Sequence, residues 1–310
     1  MSAVTPVAPT PVAPTTDRAV GRRGQSKRRI ASRIGINLLG LLVFVVMIFP
    51  VYWMVSTAFK TGPDIFGYTP TWFPIHPTLA NFGDAIHRDY FWRDVENSLI
   101  VVSVVVGVSL VLAFLAALAL AKFRFYGRRA FIILTIAVQM VTLNALIIPL
   151  FVMMSHLGRV GGVKHVLGVN MLGGVIVTYL TFVLPFTIWT LRGFIHGVPR
   201  ELEEAAMVDG TTRFGAFVRV LLPLIGPGLV ATSIFAFIQA WNEFIIAYVF
   251  LHDAEKQTLT VWLASFTNLH GTDWGPLMAG ATLTALPVVV FFLLVQRKVA
   301  FGLTAGAVRG

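Results

Sequence analysis

The sequence predicts an all-helical membrane protein with six transmembrane helices and both termini in the cytoplasm. Three observations predict it. Six long apolar runs carry no charge, lysine and arginine are unevenly distributed between them, and charged residues make up only 12% of the chain. A soluble domain has about 25%. Hydrophobic residues reach 56%, and the mean hydropathy of +0.80 points the same way.

Residues 1–33 read as a disordered, Pro/Ala-rich and then basic cytoplasmic tail. The unit TPVAP occurs twice within residues 1–17. Proline this dense favours extended polyproline geometry and offers nothing to bury. Arg18, Arg22, Arg23, Lys27, Arg28, Arg29 and Arg33 follow, directly before the first apolar run, where orientation signals sit. A secretory signal peptide would have an apolar core of about 7–15 residues. The run Ile34–Phe59 has 26 without a charge, so it reads as a retained span.

The other uncharged runs are Asn97–Ala121, Ala130–Gly158, His165–Leu191, Val220–Asn242 and Trp274–Gln296. Each exceeds the ~20 residues that a helix needs to cross the hydrocarbon core. They are apolar all round, and backbone amides cannot stay unpaired in lipid, so they must be helical. A membrane barrel would instead show short alternating segments. The transmembrane domain is placed at 34–297, with spans at about 34–59, 97–121, 130–155, 171–191, 222–246 and 276–296. A cytoplasmic tail, 298–310, follows.

With the N-terminus inside, 18 lysines and arginines fall on the inner segments and six on the outer ones. That asymmetry obeys the positive-inside rule. It also accounts for the net charge of +10, because the basic residues sit where orientation signals belong rather than in a nucleic-acid-binding patch. No cysteine is present, which excludes disulfides, thiolate catalysis and cysteine-ligated metal.

The inner segment 199–223 differs from the others in being acidic. It reads Pro199-Arg-Glu-Leu-Glu-Glu-Ala-Ala-Met-Val-Asp-Gly210, continuing to Val220-Leu-Leu-Pro223. Pro199 suits a first helical turn, and Glu201, Glu203 and Glu204 suit the positive end of a helix. Ala205, Ala206 and Met207 favour helix, and Gly210 can end it in a left-handed conformation. The expectation is a short helix whose small residues let another surface approach.

Glu204-Ala205-Ala206, then three residues and Gly210, then nine residues and Val220-x-Leu222-Pro223, resembles the EAA loop of ABC-importer permeases. Valine stands at 220 where the family has isoleucine. Trp241-Asn242-Glu243-Phe244 resembles the WN(D/E)F segment of sugar permeases. The end of the chain, from Gln296-Arg297 to Gly302-Leu-Thr-Ala-Gly-Ala-Val-Arg-Gly310, is similar to the second, shorter permease of the maltose-type systems. Lys298-Val299-Ala300-Phe301 departs from the more aromatic and basic stretch usual there.

The resemblance implies the type I importer permease fold and a place in the cytoplasmic membrane. It also implies import of a mono- or oligosaccharide by alternating access. The implied partners are a homologous second permease, two copies of a cytoplasmic ATPase, and an extracellular or periplasmic sugar-binding protein. Glu203, Glu204, Ala205, Ala206, Asp209, Gly210 and Pro223 would couple to the ATPase, with Gly302, Leu303, Thr304, Ala305 and Gly306 as C-terminal contacts. Trp241, Asn242 and Glu243 become pathway candidates. The outer segment 251–273 would face the binding protein.

The residues themselves hold no ATP site: no Gly-x-x-x-x-Gly-Lys-Ser/Thr occurs, and none of the six lysines follows a glycine. ATP and Mg belong to the partner ATPase on this reading, and this chain binds no cofactor and is not an enzyme. Gln139, Thr142 and Asn144, within the third run, either line a pathway or bond to neighbouring helices. The seven histidines form no HExxH pair, so no metal site is expected. An ion-coupled secondary transporter would place ionisable groups in the spans, and the six runs hold none. Permeation of a polyol or glycerol phosphate is the alternative within the same family.

Overall fold

The computed structural model of the chain describes residues 22–159 and 166–307, so the expected Pro/Ala-rich segment 1–17 lies outside them. Residues through Trp53 form one unit and those from Met54 onward a second.

Helix α1 runs Arg22–Ala58 and contains Pro50. Residues 22–33, expected as part of a disordered tail, belong to this helix. Arg, Lys and Gln are good helix formers, and no proline interrupts them before the apolar run, so nothing there stops the helix. The second unit continues with two short helices, α2 (Gly62–Phe66) and α3 (Ala80–Ile86). Then comes α4 (Phe91–Lys122), 32 residues long.

The third apolar run is not one helix. It divides into α5 (Arg128–Gln139) and α6 (Leu143–Leu157), with Thr142 in extended backbone before α6. Thr and Asn compete for backbone hydrogen bonds and favour helix starts over helix interiors, which is where Thr142 and Asn144 stand. Next are α7 (Leu172–His196), α8 (Arg200–Val208) and α9 (Arg213–Ala216). A π-helical turn, Phe217–Leu221, leads into α10 (Leu222–Leu224) and α11 (Gly226–Asn242). The chain bends by 63° between Arg213–Leu224 and Gly226–Asn242, where Pro223, Gly226 and Pro227 remove backbone donors and side-chain restraint.

The remaining elements are α12 (Ile245–Phe250), α13 (Leu259–Ala264) and a small antiparallel hairpin, and α14 (Trp274–Ala307) closes the chain. In the hairpin, β1 (Thr267–Asn268) pairs with β2 (Gly271–Thr272), Thr267 lying opposite Thr272. Residues 298–307, expected as a tail beyond the last span, continue α14. No proline or glycine pair separates them from it, and alanine, leucine and lysine carry the helix on.

Among the described residues, four helices are long and apolar enough to cross a bilayer: Ser32–Ala58, Phe91–Lys122, Leu172–His196 and Trp274–Gln296. The bent pair Arg213–Leu224 and Gly226–Asn242 makes five if it is one span.

The core of the second unit forms where α4 and α7 pack face to face. The buried side of α4 runs Phe91, Asp94, Ser98, Val101, Val102, Val105, Ser109, Ala113, Ala117 and Leu120, a spacing of three and four residues that marks one helix face. Serine and alanine in that row let backbones approach, as packed membrane helices require. Buried Thr178, Thr187, Thr232 and Thr284 each donate to the carbonyl four residues back, so none of these four hydroxyl hydrogens is stranded. Gly228 of α11 meets the Phe194 ring of α7 so closely that an added Cβ would lie 2.5 Å from it. Any larger residue there would force the Phe194 side chain or the helices themselves to shift.

Candidate functional site

The acidic stretch from Arg200 to Val208 folds into α8 with its carboxylates at the start and a defined stop at its end. Gly210 adopts φ +88°. Its amide donates to Met207 O at 3.1 Å, and the Thr211 amide donates to Ala206 O at 3.1 Å. These two reversed bonds around a left-handed glycine form a Schellman ending. Thr212 then starts α9 by accepting the Gly215 amide at 3.0 Å, the bond expected of an N-cap threonine.

No residue of α8 is buried. Glu204 and Ala205 are exposed and Ala206 half-buried, and around them stand exposed Leu202, Met207, Val208 and Phe214. An exposed apolar rim about small residues is a surface suited to contact with another protein. Glu203 turns the other way and pairs with Lys122 at the end of α4 at 2.5 Å. Asp209 is the C-cap of α8, and Pro223 lies exposed within α10, beside the bend.

The pathway candidates separate by environment. Trp241 is buried, donates from Nε1 to Thr284 O at 3.2 Å and stacks on Phe237. Glu243 accepts the Ile246 and Ala247 amides at 2.9 and 3.2 Å and the Tyr179 hydroxyl at 2.7 Å. Its carboxylate thus caps α12 and ties that helix to α7, a use that the sequence reading did not include. Asn242 is exposed, with its amide returned to Ile238 O at 3.0 Å. Gln139 ends α5 and is exposed, and Asn144 lies in the first turn of α6. Gly302, Leu303, Thr304, Ala305 and Gly306 lie on the last turns of α14.

At the end of α4 opposite Lys122, several side chains that sequence reading did not single out come together. A cleft of about 520 Å³ is lined by Arg88, Asp89, Tyr90, Asp94, Gln257, Trp262 and Ser265, among others. Asp94 is 1% exposed and Trp262 2%, and Asp94 Oδ1 and Trp262 Nε1 find no partner among the described residues. Arg88 donates to the Ser265 hydroxyl and carbonyl and lies 4.2 Å over the Phe266 ring. Asn97 donates to the carbonyls of Glu255 and Gln257 at 3.0 and 2.9 Å, fastening segment 251–273 to α4. Hydrogen bonding from Lys256, seconded by Asn170, holds the Asp253 carboxyl below its usual range. Burial pushes the Lys60 ammonium below the usual lysine range against the opposing charge of Asp64, and its Nζ donates to Thr71 O at 2.6 Å.

Among the described residues no three histidine, aspartate or glutamate side chains gather so as to hold a metal ion. The candidate site residues thus gather at opposite ends of α4: the exposed α8 surface beside Lys122 and the cleft beside Asp94.

The family described as binding-protein-dependent transport system inner membrane component matches residues 109–303. The chain is 45% identical over 284 residues to the diacetylchitobiose uptake system permease protein of Streptomyces coelicolor, covering 92% of this chain and 100% of the relative. It is 30% identical to the trehalose/maltose transport system permease protein of Thermococcus litoralis, over 92% of this chain and 99% of the relative. In fold it is similar to a chain of a bacterial ABC transporter involved in the import of the acidic polysaccharide alginate. That likeness has a TM-score of 0.72 at 23% identity and covers 92% of this chain and 99% of the other. The chain belongs to the family of binding-protein-dependent transport inner-membrane components and is a multi-pass membrane protein.

Proposed function

We propose that this chain is one of two permease subunits that import a short amino-sugar oligosaccharide of the diacetylchitobiose class by alternating access. The observation that carries the reading is the 45% identity, along the whole length of the relative, to a diacetylchitobiose uptake permease. A relative described as a trehalose/maltose permease matches at 30%, so the amino sugar takes precedence over a plain glucoside.

The chain crosses the membrane six times on this reading, with both termini and α8 inside. Helices α5 and α6 together make the third crossing. The break at Met140–Thr142 then falls at membrane depth, where non-helical backbone is tolerated only inside protein or beside water. That favours Gln139 and Asn144 as pathway residues, along with exposed Asn242. Helix α8 with its apolar rim seats in a separate ATPase subunit, which binds ATP and Mg; the last turns of α14 contact the same subunit. Arg88 and the exposed residues of the 251–273 segment, supported from beneath by buried Asp94 and Trp262, form the outer face to which a sugar-laden binding protein docks. Glu243 and Trp241 act by holding the α11–α12 break rather than by touching sugar.

The test is uptake of radiolabelled diacetylchitobiose by cells with and without the gene, at fixed membrane potential. Loss of uptake on deletion, and on ATP depletion, is the expected result. Unchanged chitobiose uptake with lost maltose or polyol uptake would reassign the substrate. Uptake that follows membrane potential rather than ATP would replace the importer reading by ion coupling.

A further inference from the structure

Four arginines converge where α4 ends and α5 begins. Arg124, Arg128, Arg129 and Arg192 line a single cleft of about 480 Å³ with Phe125, Tyr126, Gly127 and Ile132, and none of these lining residues is acidic. The Nε atoms of Arg128 and Arg192 are buried and have no acceptor among the described residues. The Arg192 guanidinium lies over the Trp189 ring at 5.5 Å, a cation–π contact that leaves its Nε hydrogen without an acceptor. The positive N-terminal end of the twelve-residue α5 opens at the same place. Gathered like charges repel, and buried donors left unpaired are costly, so the arrangement is stable when an anion fills it.

The surroundings indicate what kind of anion. Phe123, Phe125 and Tyr126 stand exposed beside the cleft, and α5 has no buried residue, with Phe131, Ile133 and Leu134 exposed along it. Aromatic side chains next to an apolar helix surface mark the level of lipid headgroups. We propose that this cleft binds the phosphate of an anionic phospholipid. The guanidinium forks of Arg128 and Arg192 hold the phosphoryl oxygens, Arg124 and Arg129 add charge, and the acyl chains lie along α5. Arginine suits the role because its fork matches phosphate bidentately, whereas lysine offers only a point charge. A soluble phosphate would use the same donors but gain nothing from the apolar flank.

The experiment uses the intact transporter complex in nanodiscs of phosphatidylcholine doped with cardiolipin or phosphatidylglycerol. Anionic lipid retained per complex after a detergent wash is measured by mass spectrometry. The parent is expected to retain anionic lipid over phosphatidylcholine, and Arg128→Gln with Arg192→Gln to lower retention by about tenfold or more. The pair Arg128→Lys with Arg192→Lys is expected to fall between. Should the double glutamine variant fail to assemble, Arg124→Gln with Arg129→Gln, both on exposed side chains, is expected to lower retention several-fold. Unchanged retention in the glutamine variants overturns the proposal, and full recovery with lysine replaces it by diffuse attraction. Displacement of the lipid by millimolar inorganic phosphate makes the site one for a soluble anion. Loss of the lipid when ATPase subunits are added makes the occupant a partner carboxylate instead.

Discussion

Glu203 in the first turn of α8 and Lys122, the last residue of α4, form an ion pair of 2.5 Å, with side chains 22% and 17% exposed. Each charge also suits its own helix: a carboxylate lies near the positive start of α8, and an ammonium lies near the negative end of α4. The pair therefore joins two helix ends of opposite polarity. It ties the start of α8 to the end of a helix long and apolar enough to cross a bilayer.

Breaking that link is expected to lower uptake without removing the docking surface. A partly exposed pair is worth about 1 kcal/mol or less, which corresponds to up to about fivefold in an equilibrium. Glu203→Gln and Lys122→Met should each reduce sugar uptake two- to fivefold, while the ATPase still co-purifies. The swapped pair Lys122→Glu with Glu203→Lys restores the attraction but opposes both helix dipoles, so recovery should be partial. Additive losses in the double variant Glu203→Gln with Lys122→Met would mean that the two residues are not coupled.

The long apolar helices were legible because hydropathy and length alone dictate helix in a bilayer, and the ending of α8 was legible because Gly210 is the residue that a left-handed stop demands. The breaks were harder to see. Gln139, Thr142 and Asn144 sit inside a run of spanning hydropathy, where polar residues are equally compatible with a continuous helix. The capping by Glu243 did leave a local signal, a polar Asn242-Glu243 pair between two apolar stretches, but its place in a segment resembling WN(D/E)F made it a pathway candidate. Arg88 with Ser265 and Lys122 with Glu203 were illegible for a different reason. Their partners are brought together only by the packing of α4 against distant elements, and no periodicity encodes that.

Glu243 is expected to behave as a structural cap. Glu243→Ala removes two amide acceptors of α12 and the partner of the Tyr179 hydroxyl, at a cost of about 2–3 kcal/mol. Tyr179→Phe removes one hydrogen bond and should cost about 1 kcal/mol. Thermal unfolding of the detergent-solubilised complex should fall in that order, with the rank order of competing sugars unchanged in both. A changed sugar preference with parental stability would return Glu243 to the pathway.

Orientation can be read by single cysteines, since the chain has none of its own. With Ser26, Thr211, Ser265 and Ala307 replaced one at a time, an impermeant maleimide should label intact cells at 265 alone. The other three should react only after the membrane is opened. Labelling at 211 in intact cells would place α8 outside and remove its coupling role.

The loop helix gives the sharpest test, because its ending and its contact face fail in different ways. At Gly210, φ +88° is closed to proline, whose ring fixes φ near −65°, and proline would also lack the amide that bonds Met207 O. Gly210→Pro should therefore unravel the last turn of α8, and Gly210→Ala should be milder, at about 1 kcal/mol. Ala206→Arg leaves the ending intact but places a long charged side chain on the small face. Burying an unpaired charge against the ATPase would cost several kcal/mol, and 1.4 kcal/mol is tenfold, so docking should weaken by two or more orders of magnitude. Both Gly210→Pro and Ala206→Arg should abolish uptake at normal permease abundance, because neither touches a span or the second permease. ATPase co-purification separates the loop from the rest of the molecule: lost in Ala206→Arg, largely kept in Gly210→Ala. Parental uptake by Ala206→Arg at parental abundance would mean that α8 is not where the ATPase engages.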